Sequence, residues 1–251
     1  MGRRYPDKDL KILWGLSAGR CAFPGCREMC IVGSTQYDPR AIIGKIAHIH
    51  AHEDRGPRAN PALAKTERDS YNNWILLCGT HHDLVDVQPN TYSAADLLKW
   101  KDEHEEWVSQ RLAKEMPEVT FAELEILLKG ILGTASAPST KFVAPDPREK
   151  MKRNSLTDKV LFSLTLGYGK AGEVEDFVEH MALIETNYPE RLKTGFVTEY
   201  RRLVGKGFNG DSLFESLMEF ACGGNQDFRR RAAGLAVLAY LFAKCEVFEE
   251  P

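Results

Sequence analysis

The sequence predicts an α+β chain in two blocks: an amino-terminal block of short strands, turns and one long helix, then an all-helical carboxy-terminal block. Three observations carry that prediction. Six of the seven histidines (48, 50, 52, 81, 82, 104) and four of the six cysteines (21, 26, 30, 78) fall in the first 104 residues. The tract GTASAPSTKFVAPDPREK, with Gly, Ser, Ala and Pro and no apolar period, then breaks the pattern. Beyond it, apolar residues recur at spacings of three and four almost to the end. The resulting organisation is a first domain over 1–116, a helix and linker over 117–154, and a helical regulatory or oligomerisation domain over 155–251.

Composition narrows the class. With 251 residues, 43% hydrophobic and 27% charged, the chain is long enough to bury one large core or two smaller ones. Collagen, a disordered chain and a coiled-coil rod are excluded. Apolar runs such as Trp74 to Cys78 are too short to span a bilayer, and MGRRYPDKDLK lacks an apolar signal core. A soluble cytoplasmic protein with no membrane partner is the expectation. The net charge of −3 excludes a uniformly basic nucleic-acid coat but leaves room for a local basic groove.

Each element follows from its residues. CAFPGC sets Cys21 and Cys26 on either side of a Pro-Gly turn. In AIIGKIAHIHAHEDRGPR, Ile42, Ile43, Ile46 and Ile49 predict a strand that ends among His48, His50 and His52, with those three alternating along it. WILLC (74–78) predicts a second strand, and His82 begins a helix with Asp86 one turn on. Ser93-Ala-Ala-Asp96 is a helix start with a reciprocal cap. Leu97, Trp100, His104, Trp107, Val108 and Arg111 then form the packed face of a long helix that runs to Pro117. A shorter helix runs from Thr120 to Leu132. In the second block, helices are predicted near 157–166, 171–186, 189–204, 211–221 and 226–244, the last apolar all round and therefore central to a bundle.

Two pairs with metal-ligand spacing stand out. Cys21 and Cys26 flank a turn that aims two thiolates at one point, and CGTH supplies Cys78 and His81 with two residues between. Either pair alone reads equally well as buried free thiols. Both together make a closed Cys, Cys, Cys, His set suited to structural Zn2+, which would clasp the intervening span. Cys30, Cys222 and Cys245 lack partners and read as core or surface.

Six stretches in order, CAFPGC, AHI (47–49), GPR (56–58), NWILLC (73–78), HHDLVD (81–86) and WKDEHE (100–105), resemble the HNH endonuclease family. The likeness is to its zinc-stapled subgroup in bacterial restriction and anti-phage effectors. It implies a ββα-metal domain with His48 as general base, Asn73 orienting the hairpin or the histidine, and His82 holding a catalytic Mg2+ or Mn2+ with Asp86 as second ligand. A neutral imidazole suits proton abstraction near neutral pH. Ala47 and Lys45 stand where such sites often carry acids, so the third protein ligand lies open among His50, His52, Glu53 and Asp54. Arg55 and Arg58 flank the Gly-Pro turn and, with Lys45, are expected to grip DNA phosphates, surface arginine being the bland alternative.

The helical block loosely resembles effector modules of three-component defence systems, whose partner is an SMC-like ATPase. DNA as substrate, that ATPase as partner and pairing of two copies are what these resemblances imply. The rival readings are a non-catalytic zinc-stabilised DNA- or protein-binding module and an RNA-cutting toxin.

Overall fold

The computed structural model describes residues 5–129, 146–244 and 247–248. The chain is mostly helical with a few short strands. Its contacts divide into two compact units, Met1–Val108 and Ser109–Pro251.

Unit 1 opens with α1 (Asp7–Leu16), whose Asp7 and Asp9 sit in the first turn, where the helix dipole favours acids. Asp9 also accepts the backbone N–H of Tyr71 at 2.7 Å, which fastens α1 beside the strand that follows. Two short strands, β1 (Ile31–Val32) and β2 (Ala41–Ile42), pair antiparallel. The site-bearing hairpin is β3 (Gly44–His48) against β4 (Trp74–Cys78), antiparallel, with Gly44 opposite Cys78 and His48 opposite Trp74. Trp74 to Leu77 are fully buried and form the centre of this unit's core with Leu13, Ala47, Ile49, Val85 and Leu97. Gly44 is obligatory, because a Cβ there would lie 2.4 Å from the Cβ of Cys30. Chain segment 42–49 is therefore not one strand. Ile42 and Ile43 are exposed, and the ladder begins at Gly44.

Between the strands, α2 (Lys65–Arg68) and a 3-10 turn (Tyr71–Asn73) organise an otherwise irregular span. After β4 the chain enters α3 (Gly79–Val87) directly. The long helix α4 (Ala94–Glu115) starts as its sequence predicts, Ser93 Oγ donating to Asp96 at 2.6 Å while the Asp96 N–H returns a bond to Ser93. His104 is buried with its ring between Arg27, which donates to Nδ1, and the Ser17 carbonyl, which accepts from Nε2 at 3.1 Å. Burial, with the Arg27 charge adding, pushes that imidazole down to about 4.

Unit 2 contains, among the described residues, helices and no strand: α5 (Phe121–Lys129), α6 (Pro147–Arg153), α7 (Asp158–Tyr168), α8 (Ala171–Ile184), α9 (Tyr188–Gly205), α10 (Gly210–Ala221) and α11 (Phe228–Lys244). The last five lie within two residues of their predicted limits at each end. α11 is buried from Ala232 to Phe242 and packs on α5, α7, α8 and α10. Gly167 lets α7 approach it, since a Cβ there would meet Leu235 O at 2.8 Å.

The helix expected from Thr120 is α5, described as far as Lys129. Residues 130–145, which include most of the Gly/Ser/Ala/Pro tract, lie outside the described residues. The tract's end forms α6, begun by Pro147 and an Asp146 cap on the Arg148 N–H. Met116, Val119, Leu124, Leu127, Leu128 and Met151 enter the core of unit 2. Among the described residues, no helix is long and apolar enough to cross a membrane.

Candidate functional site

Among the described residues, two groups of ligating side chains converge in unit 1. The first is the predicted set. Gly25, at φ +76°, closes the Pro-Gly turn so that Cys21 and Cys26 face the same way, and the Ala22 N–H donates to Leu76 O at 2.9 Å, which docks this turn on β4. Cys78 ends β4 and His81 lies in the first turn of α3. The four ligand atoms lie within 4.8 Å of one another. His81 Nδ1 is 3.6 Å from Cys21 Sγ and 3.1 Å from Cys78 Sγ. Tetrahedral zinc places sulfur and nitrogen about 3.6 Å apart. Phe23 stacks on the His81 ring at 3.9 Å, which fixes its plane.

Burial raises the Cys21 thiol well above its ordinary value, against backbone N–H bonds from Cys78 and Phe23 that favour the thiolate. A cation in the cluster reverses that balance, since metal ligation holds the thiolate outright. The residues therefore fit a structural zinc ion. Cys30 is buried, pushed up to about 12 by desolvation, and lies outside the set.

The second group is His48, His52 and Asp69. His48 is the last residue of β3, and its Nε2 lies 2.9 Å from Asp69 Oδ1. The Trp74 indole N–H reaches the same nitrogen at 3.2 Å. His52 Nδ1 is 3.1 Å from Asp69 Oδ2. His50, predicted on the same face, goes elsewhere: the strand ends at His48, and His50 Nδ1 sits 3.0 Å from Arg58 O. Asp69 was not expected from sequence. It lies in the irregular span, where no periodicity marks a position, and its spacing to the histidines matches no motif.

Asn73 does not face outward. Its Oδ1 accepts from the His50 N–H at 2.8 Å, and its Nδ2 donates to His50 O at 2.7 Å and Arg68 O at 2.9 Å. A buried amide thereby imitates one more ladder pair and fixes the path of the chain just beyond His48.

His82 and Asp86 stand one turn apart on α3, His82 Nε2 at 3.9 Å from Asp86 Oδ2, with His82 Nδ1 3.0 Å from Asp83 Oδ1. Among the described residues no third cysteine, histidine or acid joins this pair. The pair offers two ligand atoms to a divalent cation, leaving its remaining positions to water and phosphate oxygens.

Arg58 corrects the expectation of a phosphate grip. At φ +56° its side chain turns inward, 3% exposed. Nε donates to Ile49 O at 3.0 Å, Nη1 to Val85 O, and Nη2 to both His48 O at 3.2 Å and Asp86 Oδ1 at 2.7 Å. The guanidinium's fork matches a cluster of three backbone carbonyls and one partly exposed carboxylate. Arg58 thus ties the end of β3 to α3 and holds one oxygen of Asp86. Arg68, likewise buried, donates to the carbonyls of Leu63 and His52 and to Asp54. Lys45 is half exposed and paired with Asp83 at 2.7 Å. Arg55 is exposed and, among the described residues, has no ion-pair partner.

The chain matches no model of a known protein family, and no curated protein is significantly similar to it.

Proposed function

We propose that unit 1 is a metal-dependent HNH-type endonuclease that hydrolyses DNA phosphodiester bonds, with unit 2 a helical module that controls it in bacterial defence or restriction. The observation that carries this reading is Arg58. One nitrogen bonds both the His48 carbonyl and the Asp86 carboxylate, so the end of the hairpin and the ligand face of α3 belong to one place. A hairpin end with a histidine, an asparagine behind it and a helical histidine ahead of it is the arrangement that a ββα-metal nuclease requires.

In this reading His48 takes the proton from the attacking water. Asp69, beside one ring nitrogen, fixes the ring and makes the other nitrogen the acceptor. Asn73 is a positioning residue, because its amide bonds hold the backbone next to His48. His82, oriented by Asp83, and Asp86, oriented by Arg58, hold a Mg2+ or Mn2+ ion, which when bound would stabilise charge on the phosphate and on the leaving 3′ oxygen. Arg55 offers an exposed cation for phosphate contact. The Cys21, Cys26, Cys78 and His81 set holds structural zinc and supplies no chemistry.

One observation favours the rival class of zinc-stabilised binding module: among the described residues His82 and Asp86 gain no third ligand, and Arg58 already neutralises part of Asp86. Plasmid cleavage by wild type, His48→Ala and His82→Ala, in Mg2+, Mn2+ or EDTA with zinc content determined, separates the two. The nuclease reading expects metal-dependent nicking that falls by about 100-fold or more in each variant while zinc is retained. A folded, zinc-loaded wild type that binds DNA and never cuts it would support the binding module.

A further inference from the structure

His48, His52 and Asp69 are brought together from two sides of the irregular span, and a proton alone does not satisfy them. The nitrogen His48 Nε2 faces an acceptor-only carboxylate oxygen at 2.9 Å and a donor-only indole N–H at 3.2 Å. With Nε2 protonated, two N–H groups face each other. With Nε2 bare, its lone pair opposes that of Asp69. His52 adds a second, independent sign. Its Nδ1 is buried and 3.1 Å from Asp69 Oδ2, yet it makes no hydrogen bond, because the ring does not aim along that line. One proton on His48 Nε2 can serve the 2.9 Å bond to Asp69 Oδ1 but leaves both the Trp74 N–H and His52 Nδ1 without an acceptor or donor there.

The distances suit an ion among these three side chains. Nitrogen and oxygen ligands at about 2.0–2.2 Å from one metal ion, at right to tetrahedral angles, lie about 2.9–3.4 Å apart. The two contacts to Asp69 are 2.9 and 3.1 Å, and all three ligand atoms fall within 4.8 Å. Two imidazoles and one carboxylate select a borderline transition ion such as Zn2+ over Mg2+, which prefers an all-oxygen shell.

We infer that His48, His52 and Asp69 bind one divalent transition-metal ion, typified by Zn2+, at a site separate from the cysteine cluster and from His82, and that its occupancy silences His48. The second half rests on the nuclease reading. An ion on Nε2 leaves the neutral imidazole's proton on Nδ1, so neither nitrogen can accept one from water. Displacement of the ion restores the proton to Nε2, facing Asp69, and the base with it. The site makes the hairpin responsive to free Zn2+ while the structural ion stays in place.

Metal counting on the full chain tests the site. After equilibration with Zn2+ and removal of loose ions, wild type is expected to retain two equivalents, and His52→Ala and Asp69→Asn one. Co2+ added to protein carrying a single zinc equivalent, in the cysteine set, should give visible bands of nitrogen and oxygen coordination, without thiolate charge transfer, in wild type and His82→Ala but not in His52→Ala. One equivalent in wild type, or a second that His82→Ala removes and His52→Ala keeps, overturns the site. In Mg2+-supported cleavage, added Zn2+ should slow wild type by about 100-fold, the worth of a general base, and leave His52→Ala near its own uninhibited rate. Equal inhibition of both overturns the switch. Failure of wild type to cleave under any condition removes the nuclease reading and the switch together, while the zinc count still decides the site.

Discussion

Replacing Arg58 with methionine removes the charge and the donor fork while keeping much of the side chain's length. Three backbone carbonyls, of Ile49, Val85 and His48, lose their partner, and so does Asp86 Oδ1. Each buried carbonyl left unsatisfied costs about 1–3 kcal/mol, whereas Asp86, 36% exposed, rehydrates and contributes little. The methionine recovers part of the loss by packing. The expected net destabilisation is about 3–5 kcal/mol, the range seen when one partner of a buried pair is removed. All four tryptophans (14, 74, 100 and 107) lie in unit 1, so fluorescence during urea unfolding follows that unit selectively. At a denaturant slope of about 1.5 kcal/mol/M, the midpoint should fall by about 2–3 M. Arg55→Met, on the exposed side of the same turn, should shift it by less than about 0.5 M. Should Arg58→Met keep the wild-type midpoint and weaken only DNA binding, the assignment of Arg58 as a structural clasp is wrong, and the phosphate contact expected from sequence is restored.

Three further outcomes follow from the same contacts. Stripping metal with a strong chelator, or Cys21→Ser, should unfold unit 1 by fluorescence while far-ultraviolet helical signal from unit 2 persists, because structural zinc supplies on the order of 10 kcal/mol of apparent folding energy; retained unit 1 structure without metal would refute the clasp. His104 is held down to about 4 in the folded state against 6.5 as its ordinary value, so its contribution is complete above about pH 6.5 and is lost as pH falls towards 4. That amounts to about 3 kcal/mol, visible as a steeper acid-side loss of stability in wild type than in His104→Gln, where zinc release affects both alike. Gly44→Ala should cost about 1–3 kcal/mol through the clash with Cys30, whereas Gly33→Ala, with open space around its Cβ position, should be near neutral in the same unfolding assay.

How legible these features were depends on what fixes each residue. The Cys21, Cys26, Cys78 and His81 set was readable because a four-ligand cage constrains residue type and local turn spacing together. The helices of unit 2 were readable because core burial imposes a period of 3.6 on long segments, α11 being the extreme case. Asp69 was invisible, since an irregular backbone held by Arg68 and Asn73 imposes no period and its partners lie 17 and 21 residues away. Arg58 was misread for the opposite reason: arginine is so commonly exposed that sequence favours the surface, and only the convergence of three carbonyls on one spot turns it inward. α6 was lost inside a composition that signals a linker, although Met151 and its proline start both favour a packed helix.

The 60 residues that separate Cys21 from His81 also set a schedule for synthesis. At about 5–20 residues per second, the first thiols leave the ribosome roughly 3–12 s before the last ligand exists. β3 waits similarly for β4, its partner some 30 residues later, so the early part of unit 1 is among the last to lock. During that interval Cys21, Cys26 and Cys30 are open to oxidation and to competing metals. A domain built this way is incomplete as a nascent chain, so the nuclease proposed above would be inactive then, and zinc scarcity would prolong that state.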